Sequence, residues 1–146
     1  MITDEHLDEL KEIFVKHGVV LAYLFGSQAE GGVMPLSDID LAVLFPYSVM
    51  RPERFDRQLR LISDCGRLFR RDDVDVVVLN DAPPLLTFEV VRHGKMLYED
   101  PAMHPAVDFA VYAISRHADT RPFRHLQNQY LFARIRQRQV HHALPV

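Results

Sequence analysis

The sequence predicts an α+β domain, and three observations predict it. Apolar runs of strand length recur at residues 19–25, 38–45 and 74–79. Stretches with apolar residues at helical spacing lie before, between and after them, and glycine, proline or a polar cluster marks the junctions. At 146 residues the chain is long enough for one domain with a real core and too short for two ordinary ones. Residues 1–100 read as the core, and residues 101–146 as a helical C-terminal extension of the same domain.

Thr3, followed by Asp4, Glu5 and His6, has the form of an N-cap and acidic first turn. Leu7, Leu10, Ile13, Phe14 and His17 then recur at helical spacing until Gly18. Val19 to Phe25 reads as the first strand, left through the turn Gly26-Ser27. Residues 28–37, with Gly31, Gly32, Pro35 and Ser37, read as a loop, and Asp38 to Phe45 as the second strand, ended by Pro46. Pro52 opens a helix whose apolar stripe is read as Phe55, Leu59, Ile62, Cys65 or Gly66, and Phe69.

After the polar turn Arg70-Arg71-Asp72-Asp73, Val74 to Leu79 reads as a third strand, with Asp75, Val77 and Leu79 on one face. Pro83-Pro84 opens a further helix that Gly94 closes, and Lys95 to Tyr98 has the form of a short edge strand. In the final third, Val107, Ala110, Val111, Ile114 and Ala118 mark one apolar helical face. Pro122 interrupts the pattern, and Phe123, Leu126, Tyr130, Ala133 and Ile135 resume it. That is more apolar helix than a small sheet needs for cover, which points to a protein partner or to self-association.

A net charge of −3 argues against general nucleic-acid binding. From Arg116 onward there are six arginines against one acid, Asp119, so the end of the chain is basic and the remainder acidic. Cys65 is the only cysteine, which excludes an internal disulfide and a cysteine-based zinc cluster and fits a reducing cytoplasm. The acidic start lacks the regions of a signal peptide, and no apolar run approaches the length of a membrane span. Among the eight histidines, the pair His141-His142 cannot converge on one ion, because adjacent helical residues point about 100° apart. His17 reads as a helix-end residue interacting with the local dipole, and Cys65 and Tyr98 read as packing residues.

The chemistry gathers at Gly26-Ser27 and at Asp38-Ile39-Asp40, separated by a spacer of ten residues. Side chains alternate along a strand, so Asp38 and Asp40 share a face. Two adjacent carboxylates repel each other and need a cation to offset that repulsion. Magnesium suits them, since it binds through one or two carboxylates together with substrate phosphates. If the third strand lies beside the second, Asp75 completes a three-carboxylate cup able to hold two ions for an in-line displacement. Gly26 lets the backbone approach a phosphate closely, and Ser27 offers a hydroxyl and an amide.

These residues resemble the minimal nucleotidyltransferases of the polymerase-beta superfamily. Gly26-Ser27, the spacer, Ser37-Asp38-Ile39-Asp40-Leu41 and the later strand acid carry the resemblance, and so does Arg92-His93-Gly94-Lys95-Met96-Leu97-Tyr98-Glu99. Asp108-Phe109 and Asp119-Thr120-Arg121-Pro122 are similar to the helical tail of the MntA-type antitoxins encoded beside HEPN-domain ribonuclease toxins. The resemblance implies a small mixed β-sheet with helices packed on one side. It also implies the antitoxin of a type VII-like pair, which transfers AMP from Mg-ATP to a tyrosine hydroxyl of the HEPN-domain toxin and releases pyrophosphate. Carried over, Gly26 and Ser27 bind the triphosphate, and Asp38 and Asp40 ligate the metals. Asp75 holds the metal nearest the attacking hydroxyl and helps to remove its proton.

One departure stands out. Gln28 and Glu30 occupy places where family members often have basic residues, leaving Arg71, Lys95 and the C-terminal arginines as candidates to meet phosphate charge. Two rival functions remain at this level. One is nucleotidyl transfer to a small-molecule hydroxyl; the other is a weakly active antitoxin that neutralises its partner by binding.

Overall fold

The computed structural model describes residues 2–26 and 39–119. In chain order the elements are α1 (Asp4–Lys16), β1 (Leu21–Phe25), β2 (Ile39–Leu44), α2 (Arg51–Phe69), β3 (Val74–Val78), a single 3-10 turn (Leu79–Asp81), α3 (Pro84–His93), β4 (Lys95–Glu99) and α4 (Ala106–Asp119). The strands form one mixed sheet in the order β3-β2-β1-β4. β1 pairs antiparallel with β2 and with β4, whereas β2 and β3 run parallel, joined through α2. The α+β class, the mixed sheet and the edge strand at residue 95 are as the sequence predicts.

α1 starts where Thr3 was expected to cap it. The His6 amide donates to Thr3 Oγ1 and the Thr3 amide donates to His6 Nδ1, so histidine takes the place that glutamate or glutamine usually holds in a capping box. Leu10 and Phe14 carry its buried face. His17 ends the helix, but its main partner is not the dipole alone: Nε2 lies 2.7 Å from Asp64 Oδ2 of α2.

The expected stripe on α2 holds at Ile62, Cys65 and Phe69, which pack in or against the core, and is corrected by the structure at its start. The buried residues are Leu61 and Cys65, while Phe55 and Leu59 are exposed. The first half of the inward face is filled by long polar side chains, each satisfied. Arg54 donates to the Val49 carbonyl at 2.6 Å, Arg57 to the His17 carbonyl at 3.1 Å, and Gln58 to the Val76 carbonyl at 2.7 Å. Aliphatic stems of such residues cover apolar surface while their heads bond backbone, so an apolar count misses this face. Burial pushes the Cys65 thiol up to about 12, which makes it an inert core residue, as expected.

One further expectation is corrected: helices cover both faces of the sheet. Ala22, Leu24, Leu41, Val43, Val76 and Val78 pack with α1 and α2, whereas Leu21, Tyr23, Ala42 and Leu44 pack with Leu85, Leu86 and Val90 of α3 and Phe109 of α4. The cause is local, because β1 and β2 are apolar at nearly every position and a strand with two apolar faces needs cover on both. On α4 the packed residues are Phe109 and Ala113, and the stripe Val107, Val111, Ile114 and Ala118 faces outward. The continuation read at Phe123, Leu126, Tyr130, Ala133 and Ile135 lies outside the described residues.

Leu41 is fully buried directly beneath the sheet position that carries Asp40. Leu41→Ala should cost about 2–5 kcal/mol in urea unfolding, and a loss under about 1 kcal/mol would contradict this packing. A second expectation concerns acid. The hydrogen bond with His17 holds the Asp64 carboxyl below its ordinary range, and the bonds from Arg54 do the same for Asp81. With folded values depressed, their stabilisation is fully present above the unfolded carboxylate pKa of about 4 and is lost as pH falls through the folded values. An Asp64→Asn/Asp81→Asn protein should therefore be less stable at neutral pH and lose less stability on acidification below about pH 5. Parallel stability-against-pH curves for the two proteins would contradict that cause.

Candidate active site

The parallel pairing of β2 with β3 sets Asp40 directly beside Asp75. Adjacent strands lie about 4.8 Å apart, so the two carboxylates stand within reach of one small cation. Ile39 and Leu41 flank Asp40 and Val74 and Val76 flank Asp75, and all four are buried toward α1 and α2. Alternation therefore sends both acids to the opposite face, where α3 packs over β1. Both acids are half-buried.

The turn leaving β1 belongs to the same place. Phe25 lies opposite Asp40 across the antiparallel pair, and Gly26 follows with φ +81°. A Cβ at Gly26 would come within 2.8 Å of Asp40 Oδ2. Only glycine allows both that backbone conformation and that approach. Thus three of the five residues singled out in the sequence, Gly26, Asp40 and Asp75, are brought together; Ser27 and Asp38 lie outside the described residues, as do Gln28 and Glu30. Paired carboxylates beside a close-approach turn fit a hard divalent cation together with a phosphate chain.

Two features at the site were not visible as such in the sequence. The polar turn before β3 holds a forked ion pair, with Arg71 Nε 2.6 Å from Asp73 Oδ1 and Nη2 2.5 Å from Oδ2. The Asp73 carbonyl accepts the Ile39 amide at 3.2 Å, so this clamp ties the start of β3 to the start of β2, next to both acids. Arg71, proposed from the sequence as a counter-charge for phosphate, has its guanidinium fork engaged by Asp73. The second feature is Gly94. A Cβ there would meet the Val90 carbonyl at 2.4 Å and the Leu24 carbonyl at 3.3 Å, so the end of α3 presses on the end of β1. Lys95 follows, opposite Leu24 and exposed, at the end of the sheet that carries the acids. Tyr98 packs against Phe14, with ring centres 6.1 Å apart, and is a packing residue as expected.

A polar concavity of about 320 Å³ opens elsewhere, between the end of α1 and the start of α2, on the other side of the sheet. Its acids Glu53 and Asp56 form ion pairs with Arg57 and Arg60 one helical turn on, which suits a solvated helix face. Among the described residues no helix is long and apolar enough to cross a membrane.

Residues 8–102 match the family described as polymerase beta, nucleotidyltransferase. The protein adenylyltransferase MntA of Aphanizomenon flos-aquae is 32% identical over 103 residues, covering 64% of this chain and 69% of that protein. A crystal structure of a toxin–antitoxin with AMP-PNP contains a chain 26% identical to this one. That match has a TM-score of 0.66 and covers 86% of this chain and 98% of the other. A structure of a tri-AMPylated Shewanella oneidensis HEPN toxin in complex with its MNT antitoxin matches with 25% identity and a TM-score of 0.60, covering 86% and 95%.

Gly26→Ala tests whether turn and acid form one unit. The left-handed conformation alone should cost about 1–3 kcal/mol, and the added methyl should displace the Asp40 carboxylate and weaken Mg-ATP binding by calorimetry. Unchanged nucleotide affinity would separate the turn from the acid.

Proposed function

The chain belongs to the polymerase beta nucleotidyltransferase family, and from that premise we propose that it is an antitoxin that transfers AMP from ATP to a tyrosine hydroxyl of a HEPN-domain toxin. The observation that carries the proposal is the meeting of Asp40, Asp75 and Gly26 at one end of the sheet. It is supported by the likeness to adenylyltransferases and to antitoxins in complexes with toxins.

In this reading the backbone at Gly26 and the Ser27 hydroxyl receive the triphosphate, and Asp38, Asp40 and Asp75 hold magnesium. Magnesium held there would supply charge neutralisation for the phosphates during transfer. The tyrosine oxygen attacks the α-phosphorus in line, the bond from that phosphorus to the oxygen bridging to the β-phosphate breaks, and pyrophosphate departs. Asp75 assists loss of the hydroxyl proton. The protein contributes mainly position and preorganised charge, which is where the catalysis of phosphoryl-type transfer resides. The cytoplasm supplies both ATP and a reducing setting for Cys65.

Asp40→Asn and Asp75→Asn should each lower AMP transfer to the toxin by about 100-fold or more, read as adduct by intact-mass spectrometry, with unfolding midpoints close to wild type. Undiminished transfer in either protein would sink the assignment. The uncharged Gln28 and acidic Glu30, next to Gly26-Ser27 in the sequence, favour a second reading in which the partner is neutralised by binding. Full neutralisation by the wild-type protein with ATP omitted would support it, and strict dependence on Mg-ATP would exclude it.

A further inference from the structure

Asp40 and Asp75 sit where the β2–β3 ladder starts, and the end of a ladder opens more readily than its middle. The bond at that end is the Ile39 amide donating to the Asp73 carbonyl at 3.2 Å, and Ile39 is the residue between Asp38 and Asp40. Whatever fixes Asp73 therefore also fixes the acid-bearing end of β2 on β3.

A chain of contacts runs back from Asp73 to the core. Arg71 Nε and Nη2 donate to the two Asp73 carboxylate oxygens at 2.6 and 2.5 Å, a two-point fork that sets angle as well as distance. The pair is largely enclosed, with side chains 21% and 26% exposed, so salt screens it less than an open surface pair. The backbone of Arg71 is itself anchored. Its amide donates to the Gly66 carbonyl at 3.0 Å, across the left-handed residue Arg70 that ends α2. Gly66 makes room for this return, since a Cβ there would stand 3.1 Å from the Arg71 carbonyl oxygen, and its neighbour Cys65 is fully buried. The path thus leads from a buried turn of α2 through Arg71 and Asp73 to the backbone amide beside Asp40.

We propose that Arg71 and Asp73 are positioning residues of the metal site: their fork fixes the acid-bearing end of β2 against β3 and so sets the affinity for the divalent cation. The inference rests on the function proposed above, in which Asp38, Asp40 and Asp75 are the ligands. Carboxylates on two strands bind an ion well only if the strands are held at one spacing before it arrives, because their like charges push that end apart. Partners that orient the ligands govern metal affinity without touching the metal. The opposite end of the same strand pair is fastened separately, where Asn80 exchanges two 2.9 Å bonds with the Phe45 backbone. Losing the fork therefore loosens the end that carries the acids and leaves the other end closed.

The test compares full-length wild type with Arg71→Lys, Arg71→Met, Asp73→Asn and Asn80→Ala. Arg71→Lys keeps the charge and loses the fork. In Arg71→Lys and Asp73→Asn the magnesium concentration for half-maximal AMP transfer should rise about tenfold or more, with KM for toxin little changed. Mn-ATP binding by calorimetry should weaken to the same degree, and exchange of the Ile39 amide in the metal-free protein should quicken about tenfold or more. Asn80→Ala should lower the melting temperature and keep the wild-type magnesium requirement. Arg71→Met separates position from charge: loss of a cation beside carboxylates would by itself tighten metal binding, whereas loss of the clamp weakens it. Tighter metal binding by Arg71→Met, a wild-type magnesium requirement in Arg71→Lys and Asp73→Asn, or an equal rise in Asn80→Ala would each overturn the proposal. If wild type binds Mn-ATP and forms no adduct with toxin, the transfer reading fails, while weaker Mn-ATP binding by Arg71→Lys still supports the positioning role.

Discussion

The parallel pairing between β2 and β3 is the constraint on which the site depends. Antiparallel neighbours can be joined by a tight turn, but parallel ones need a crossover, and here α2 provides it. The pairing places two like charges side by side, which is unfavourable by itself. What holds them there is the apolar underside of the same two strands. Ile39, Leu41, Val74 and Val76 are all buried against α1 and α2, and slipping the register by one residue would bring the acids into that core. Burial on the other face thus holds the acids together against their repulsion.

Much of this was legible in the sequence because strand periodicity is a strong signal when one face is wholly apolar. Alternation at Val74, Val76 and Val78 places Asp75 on the opposite face, and Asp40 stands beside it because β3 adjoins β2. Helix faces were less legible. On α2, guanidinium and amide groups occupy the inward side near its start, and Phe55 and Leu59 look outward, so hydrophobicity alone pointed the wrong way. On α4 both sides are apolar, and which one packs is settled by fit against α3, a property of the assembled fold rather than of the segment. The placement of helices on both faces has the same character. The apolar content of β1 and β2 contained that information, but a resemblance that implied one-sided cover concealed it.

The clamp of Arg71 on Asp73 shows a different kind of illegibility. A polar turn reads as solvent-facing, yet its two side chains are largely enclosed and its backbone carbonyl joins the two acid-bearing strands at their first residues. Its partners are only two residues apart, so composition identifies the charges and not their geometry. Asn80 does similar work at the other end. Its amide exchanges two 2.9 Å bonds with the Phe45 backbone, fastening the exit of β3 to the exit of β2. The pair of strands that carries the carboxylates is therefore tied at both ends by groups outside the ladder.

The missing side chain at Gly26 has a consequence for how such a site can change over generations. The space that a methyl would need is held by the Asp40 carboxylate itself. Positions 26 and 40, fourteen residues apart in sequence, are consequently epistatic. Any larger residue at 26 meets the acid as long as the acid is there, and once the acid is lost the steric part of the selection on glycine goes with it. Loss of the carboxylate is then hard to reverse. A lineage that drifts at 26 after losing Asp40 must regain two changes in a set order, glycine before aspartate, to recover the original arrangement.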